Sequence, residues 1–90
     1  MEKIIVEKPN ADKVSEMGIR SWPIWFKGVS KFDWHYGEKE TCYILEGAAT
    51  VTPEGEEAVS FEKGDLVVFS QGLNCVWSIS RPIKKHYRMG

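Results

Sequence analysis

The side chains able to do chemistry are few in this 90-residue chain, and they gather in two short stretches. The first holds Trp34, His35, Tyr36, Glu40 and Cys42, and the second Cys75 and Trp77. Glu40 opens the run Glu40-Thr41-Cys42-Tyr43-Ile44-Leu45-Glu46, which is apolar on both sides and reads as a central strand. A period of two puts Glu40, Cys42 and Ile44 on one face. A carboxylate on such a face is costly to bury alone, so Glu40 should face a pocket and meet a donor, a metal or water there. The other residues each have a plain reading beside the chemical one. Cys42 and Cys75 suit small buried hydrophobes as well as a thiol-lined pocket. Trp34, Tyr36 and Trp77 suit core or rim aromatics as well as walls on which a ligand stacks. His35 reads as an exposed strand residue and His86 as a surface one. These are the only two histidines, and no Ser–His–Asp relay is legible.

Strands must position these groups. Residues 3–7 form a first short strand, broken by Pro9 and Asn10. Asn10 is a helix N-cap and Gly18 a C-cap, with Val14 and Met17 spaced for one apolar face, so one two-turn helix is expected over residues 10–17. From residue 22 onward the pattern has period two. Strand-like runs fall at 22–26, 29–36, 40–46, 48–52, 58–61, 66–69, 75–79 and 83–87, with turns at Pro53-Glu54-Gly55-Glu56 and Glu62-Lys63-Gly64-Asp65. About eight short strands at this spacing predict a sandwich or barrel, and no crossover helices are present for a parallel sheet. Within residues 31–36, Phe32, Trp34 and Tyr36 share one face and Lys31, Asp33 and His35 the other. A barrel interior takes the aromatic face, which turns Trp34 and Tyr36 inward and His35 outward. A β-bulge near Gly37 would reverse this.

Two segments resemble the paired motifs of the cupin superfamily. Glu40-Thr-Cys-Tyr-Ile-Leu-Glu-Gly47 resembles the end of the first motif, an H-x-H pair followed by a Glu, six residues and a Gly. Gly64-Asp-Leu-Val-Val-Phe-Ser-Gln-Gly72-Leu-Asn-Cys75 resembles the second, with Ser70 where that motif has Pro and Cys75 where it has a ligand His. With the aromatic segment Ser21-Trp22-Pro23-Ile24-Trp25 and the closing Lys85-His86-Tyr87, residues 20–88 are similar to the (S)-ureidoglycine aminohydrolase and ethanolamine-utilisation cupin domains. The resemblance implies an all-β, antiparallel cupin fold, a double-stranded β-helix of jelly-roll type, with one short N-terminal helix. It also implies a metal site built from the H-x-H pair, the Glu and the third His, suited to Mn, Fe, Ni or Zn. Glu40 takes the Glu position. A four-residue spacer sets the H-x-H pair on Asp33 and His35; a three-residue spacer sets it on Trp34 and Tyr36 and also matches Gly28 to the motif's opening Gly. The alternation favours the second, and no metal is then favoured; if one is bound, its ligands are expected to be His35, Glu40 and Cys75.

Length allows one domain over residues 1–90. Twelve basic and 13 acidic residues give a net charge of −1, which argues against a nucleic-acid partner. The densest basic stretch, with Arg81, Lys84, Lys85 and Arg88, reads as a solvated strand edge. No apolar run approaches a membrane span, and Met1-Glu2-Lys3 does not open a secretory leader, so Cys42 and Cys75 are expected as free thiols in the cytoplasm. Tyr43 and Leu45 oppose Cys42 and Ile44, so the outer face of the central strand needs cover, and a homodimer is expected to provide it. The favoured function is the binding of a small polar metabolite in a barrel pocket lined by Trp34, Tyr36, Glu40, Cys42, Cys75 and Trp77. Two alternatives stand beside it. One is a metal-dependent, aminohydrolase-like enzyme acting on a small nitrogen-containing or carboxylate metabolite, and the other is a structural or interaction protein with a vestigial pocket.

Overall fold

The chain runs β1 (Ile4–Glu7), α1 (Ala11–Glu16), a 3-10 turn (Ile19–Ser21), β2 (Ile24–Lys27), β3 (Ser30–His35), β4 (Glu40–Pro53), β5 (Val59–Glu62), β6 (Leu66–Phe69) and β7 (Asn74–Met89) in a computed structural model that describes residues 3–90. Met1 and Glu2, where the reading against a leader begins, lie outside the described residues. All ladders are antiparallel.

The sequence predicts about eight strands; seven are present among the described residues, because two pairs of the nine runs, counting 3–7, are continuous. Runs 40–46 and 48–52 are one strand, β4, and runs 75–79 and 83–87 are one strand, β7. Gly47 and Arg81-Pro82 bend the chain without ending its pairing, as the register shifts between Ile44 and Ala49 record. The two bends meet. Gly47 has φ 93°, and a Cβ built there would stand 2.0 Å from the carbonyl oxygen of Pro82. Only glycine permits both the conformation and the approach.

The shared corner lets each long strand of the one seven-stranded sheet pair a different neighbour in each half. The first half of β4 pairs β6 through Glu40–Tyr43, and its second half pairs β5 through Ala48–Val51. The first half of β7 pairs β3 through Asn74–Ile79, and its second half pairs β2 through Ile83–His86. β1 adds to the free side of β6. The result is the antiparallel all-β barrel with one short helix that the sequence led us to expect.

Inward side chains close the barrel. Tyr36 stacks on Phe69 with ring centres 4.9 Å apart, and Phe61 meets Trp77 edge-on at 5.4 Å. Cys42, Ile44, Val51, Val67 and Ile83 complete this core, each fully buried. An aliphatic side chain buried in this way contributes roughly 1.5–3 kcal/mol.

The N-terminal helix covers part of the outside. Asn10 caps it by accepting the Lys13 amide N–H at 2.8 Å. Gly18, at φ 65°, then turns the chain into the 3-10 segment, and Ile19 and Trp22 pack on Leu66 with Val14, Met17 and Tyr43 against them. Tyr43, half of the argument for a dimer, is therefore covered from within the chain.

Candidate functional site

The barrel keeps a cavity of about 250 Å³ beside its packed core. Cross-strand register builds it. Phe32 on β3 lies opposite Trp77 on β7, with the two rings nearly parallel at 6.1 Å. Trp25 on β2 lies opposite Lys85 on β7. Trp34 and Tyr36 continue the Phe32 face, each meeting the ring before it edge-on at 6.3 and 6.4 Å. Tyr87 and Met89 complete the wall. Trp34 is 50% exposed and stands at the mouth, whereas Tyr36 and Trp77 are buried.

The floor is charged. Lys85 Nζ donates to Glu40 Oε2 at 2.8 Å, and the two side chains are 5% and 6% exposed. Glu40 lies opposite Met89 in the ladder, so the Lys85 side chain runs along β7 to reach it. The ammonium also sits 4.7 Å from the ring centres of both Trp25 and Trp77, on the faces that attract a cation. Trp77 Nε1–H donates to Tyr36 Oη at 3.2 Å. Burial, then the Glu40 charge and a hydrogen bond to it, hold the Tyr36 phenol protonated well above its ordinary range. The pairs Trp77–Tyr36 and Lys85–Glu40 thus stand together inside aromatic walls, and none of their buried side-chain atoms lacks a partner.

Of the residues singled out from the sequence, Trp34, Tyr36, Glu40 and Trp77 surround this cavity. Cys42 and Cys75 do not line it. Cys42 shares the Glu40 face but is fully buried in the core, and burial, opposed by the Lys85 charge and reinforced by Glu40, pushes its thiol up to about 12. Cys75 points its sulfur at the Trp34 carbonyl, 3.6 Å away, and burial followed by Glu40 pushes it up to about 11. Both cysteines are free. His35 is exposed, with Nδ1 2.7 Å from Asn74 Oδ1, and borders a shallow outer hollow.

Two sequence readings are corrected. Lys85 is no solvated edge residue but the cation of the floor. His86 is buried rather than at the surface, with Nδ1 2.9 Å from the Trp22 carbonyl oxygen. The signal for Lys85 was present. Cys75, Trp77, Ile79, Ile83 and Lys85 share one parity along β7, and the others are buried apolar or aromatic residues. Charge type overrode phase in the sequence reading. Trp25, Phe32, Tyr87 and Met89 also line the cavity without having been singled out as site residues.

The donor set does not fit the metal that metal-binding cupins hold. Two aromatic rings occupy the favoured H-x-H alignment, His35 faces outward, and Glu40 is neutralised by an ammonium. Among the described residues, no three His, Cys, Asp or Glu side chains are placed to hold a metal ion. His35, Glu40 and Cys75 are not brought together as a ligand trio.

Comparison with known proteins agrees with this architecture. Residues 14–87 match the EutQ-like cupin domain. A DUF861 family protein from Thermotoga maritima is similar in crystal structure, with 48% identity, a TM-score of 0.95, and coverage of 97% of this chain and 99% of that one. The Clostridium difficile EutQ protein shares 21% identity over 73% of this chain and 52% of its own, at a TM-score of 0.67. Acireductone dioxygenase from Bacillus anthracis, solved with a cadmium ion in its active centre, shares the fold more loosely at 17% identity and a TM-score of 0.52, covering 96% of this chain and 47% of that one. No curated protein matches. On the motif match and the 48% relative together, the chain belongs to the EutQ-like cupin domain family.

Proposed function

We propose that the barrel binds a small polar metabolite, its flat body against the aromatic walls and its polar end at the Lys85–Glu40 pair. The observation that supports this reading is a buried ion pair facing an open cavity. A pair retained only for stability is better replaced by hydrocarbon, since burying two charges costs about as much as their attraction returns. A few convergent polar groups inside apolar walls are the ordinary make-up of a small-molecule site. Lys27, whose ammonium lies 5.1 Å from the Phe32 ring centre, adds a second cation beside the walls and favours a carboxylate-bearing ligand. The metal-dependent, aminohydrolase-like reading draws no support from the donor set.

A thermal-shift screen of small carboxylates and nitrogen-containing metabolites tests the proposal, because a ligand that binds only the folded state raises its melting temperature. A hit should be lost or weakened in Trp34→Ala at the cavity mouth. A panel that stabilises nothing would favour the vestigial pocket. We propose further that the protein is a cytoplasmic homodimer. The exposed Ile24, Phe26 and Val29 on and beside edge strand β2 now carry that reading in place of Tyr43. Sedimentation equilibrium should give twice the 10.3 kDa chain mass, and a single-chain mass at all concentrations would rule the dimer out.

A further inference from the structure

Among the described residues, Lys85 is the one primary amine on the cavity wall, and its setting is unusual for a lysine. Its side chain is 5% exposed, its nitrogen sits between two tryptophan rings, and a carboxylate oxygen lies 2.8 Å away. Surface lysines are strongly hydrated; enzymes that use a lysine as a nitrogen nucleophile withdraw it from water into an apolar site, and here a carboxylate stands in contact to carry its protons. Glu40 is placed to take a proton from Nζ directly. The cavity in front offers room for only a small molecule, about 250 Å³.

We propose that Lys85 forms an imine with a small carbonyl compound, an aldehyde or 2-oxo acid, bound in the cavity, with Glu40 as the proton carrier. This deepens the ligand-site reading and rests on it. The Lys85 ammonium passes one proton to the Glu40 carboxylate. The freed amine adds to the carbonyl carbon, forming the C–N bond as the carbonyl π bond breaks, and the oxygen takes the proton back from Glu40. Nitrogen then gives its second proton to Glu40, which delivers it to the carbinolamine hydroxyl. Water leaves as the C=N bond forms. One carbonyl and one ammonium become one iminium and one water, with charge conserved and no oxidant or reductant required. The Trp25 and Trp77 faces that now hold the ammonium would hold the iminium equally, since both are cations.

Borohydride trapping tests this on the intact protein. With pyruvate and, separately, propionaldehyde, followed by borohydride, we expect one secondary-amine adduct per chain, mapped by peptide mass spectrometry to Lys85 ahead of every surface lysine. Lys85→Arg should abolish that adduct while keeping a cation beside Glu40. Glu40→Gln should slow trapping at least tenfold. If either variant fails to fold, the position of the adduct in the unmodified protein decides alone. An unlabelled Lys85, or label spread over lysines according to exposure, overturns the proposal. Calorimetry with the same two compounds separates the failures. Saturable heat that Trp34→Ala removes, without an adduct, would end the imine proposal and leave the cavity a binding site. Neither heat nor adduct would count against both.

Discussion

Strand β7 contributes to two ion pairs with opposite physics. Arg81 Nη2 reaches Glu62 Oε2 at 3.4 Å at the outer corner, with both side chains more than half exposed at 66% and 58%. Lys85 Nζ reaches Glu40 at 2.8 Å inside the barrel, with both side chains near 5%. The two bases lie on one strand within the same basic stretch; Lys85 meets a glutamate of the adjacent strand β4, and Arg81 meets one of β5, on the far side of β4. Water separates their roles. The outer pair is screened and worth little, whereas the inner pair has lost its hydration and depends on its partner. A charged pair becomes a site only where the fold removes solvent from it and leaves a cavity in front.

The largest expected effect breaks the inner pair. Lys85→Met leaves the Glu40 carboxylate buried without its cation and should cost about 3–5 kcal/mol in urea unfolding. Adding Glu40→Gln to that variant should recover most of the loss, because the remaining amide carries no charge. A single-variant loss below ~1 kcal/mol would show that water reaches the pair and that the contrast with Arg81 is false.

The cysteines beneath the site sharpen the same contrast on a pH axis. Their thiols ionise ordinarily near 9.0 and are pushed up to about 12 for Cys42 and about 11 for Cys75 in the fold. Above pH 9 the unfolded chain loses these protons while the folded one keeps them. The stability the thiols contribute is thus whole below pH 9 and is lost as pH rises through 11 and 12, at up to ~1.4 kcal/mol per pH unit for the fully buried Cys42 and less for Cys75. Tyr36, raised for the same reason, acts in the same direction. Melting temperature should fall steeply above pH 9, and Cys42→Ala should flatten that slope. A slope unchanged by the substitution would mean Cys42 is solvated.

Trp77→Phe keeps a ring against Phe61 but removes the N–H that reaches Tyr36 Oη at 3.2 Å. A loss of roughly 1–2 kcal/mol is expected by chemical denaturation, combining one buried hydrogen bond with the volume removed. The smallest effect belongs to the outer pair. Arg81→Ala should change stability by less than ~0.5 kcal/mol, and a larger change would place unrecognised structural weight on the corner.

Much of this was legible beforehand. The turn residues and the period of two placed nearly every strand, and the Asn10 cap placed the helix. The aromatic face Phe32, Trp34 and Tyr36 followed from alternation, and Glu40 from the cost of a lone buried carboxylate. Two things misled. Gly47 and Arg81-Pro82 read as strand ends, since a local pattern shows a break in regularity but not whether pairing continues through it. Lys85 read as solvated, since its charge is local information and its burial is not.

By itself, then, the chain's order of residues determined what depends on near neighbours: which segments are strands, which faces are apolar, where the helix starts, and that Glu40 needed company. Only the tertiary structure decided who that company is. The pairing of Glu40 with Lys85 joins residues 45 positions apart, through a register between β4 and β7 that depends on Gly47 and Pro82 meeting at one corner. Period two can turn a lysine inward, but only the closure of the barrel around it removes the water that would have made it ordinary.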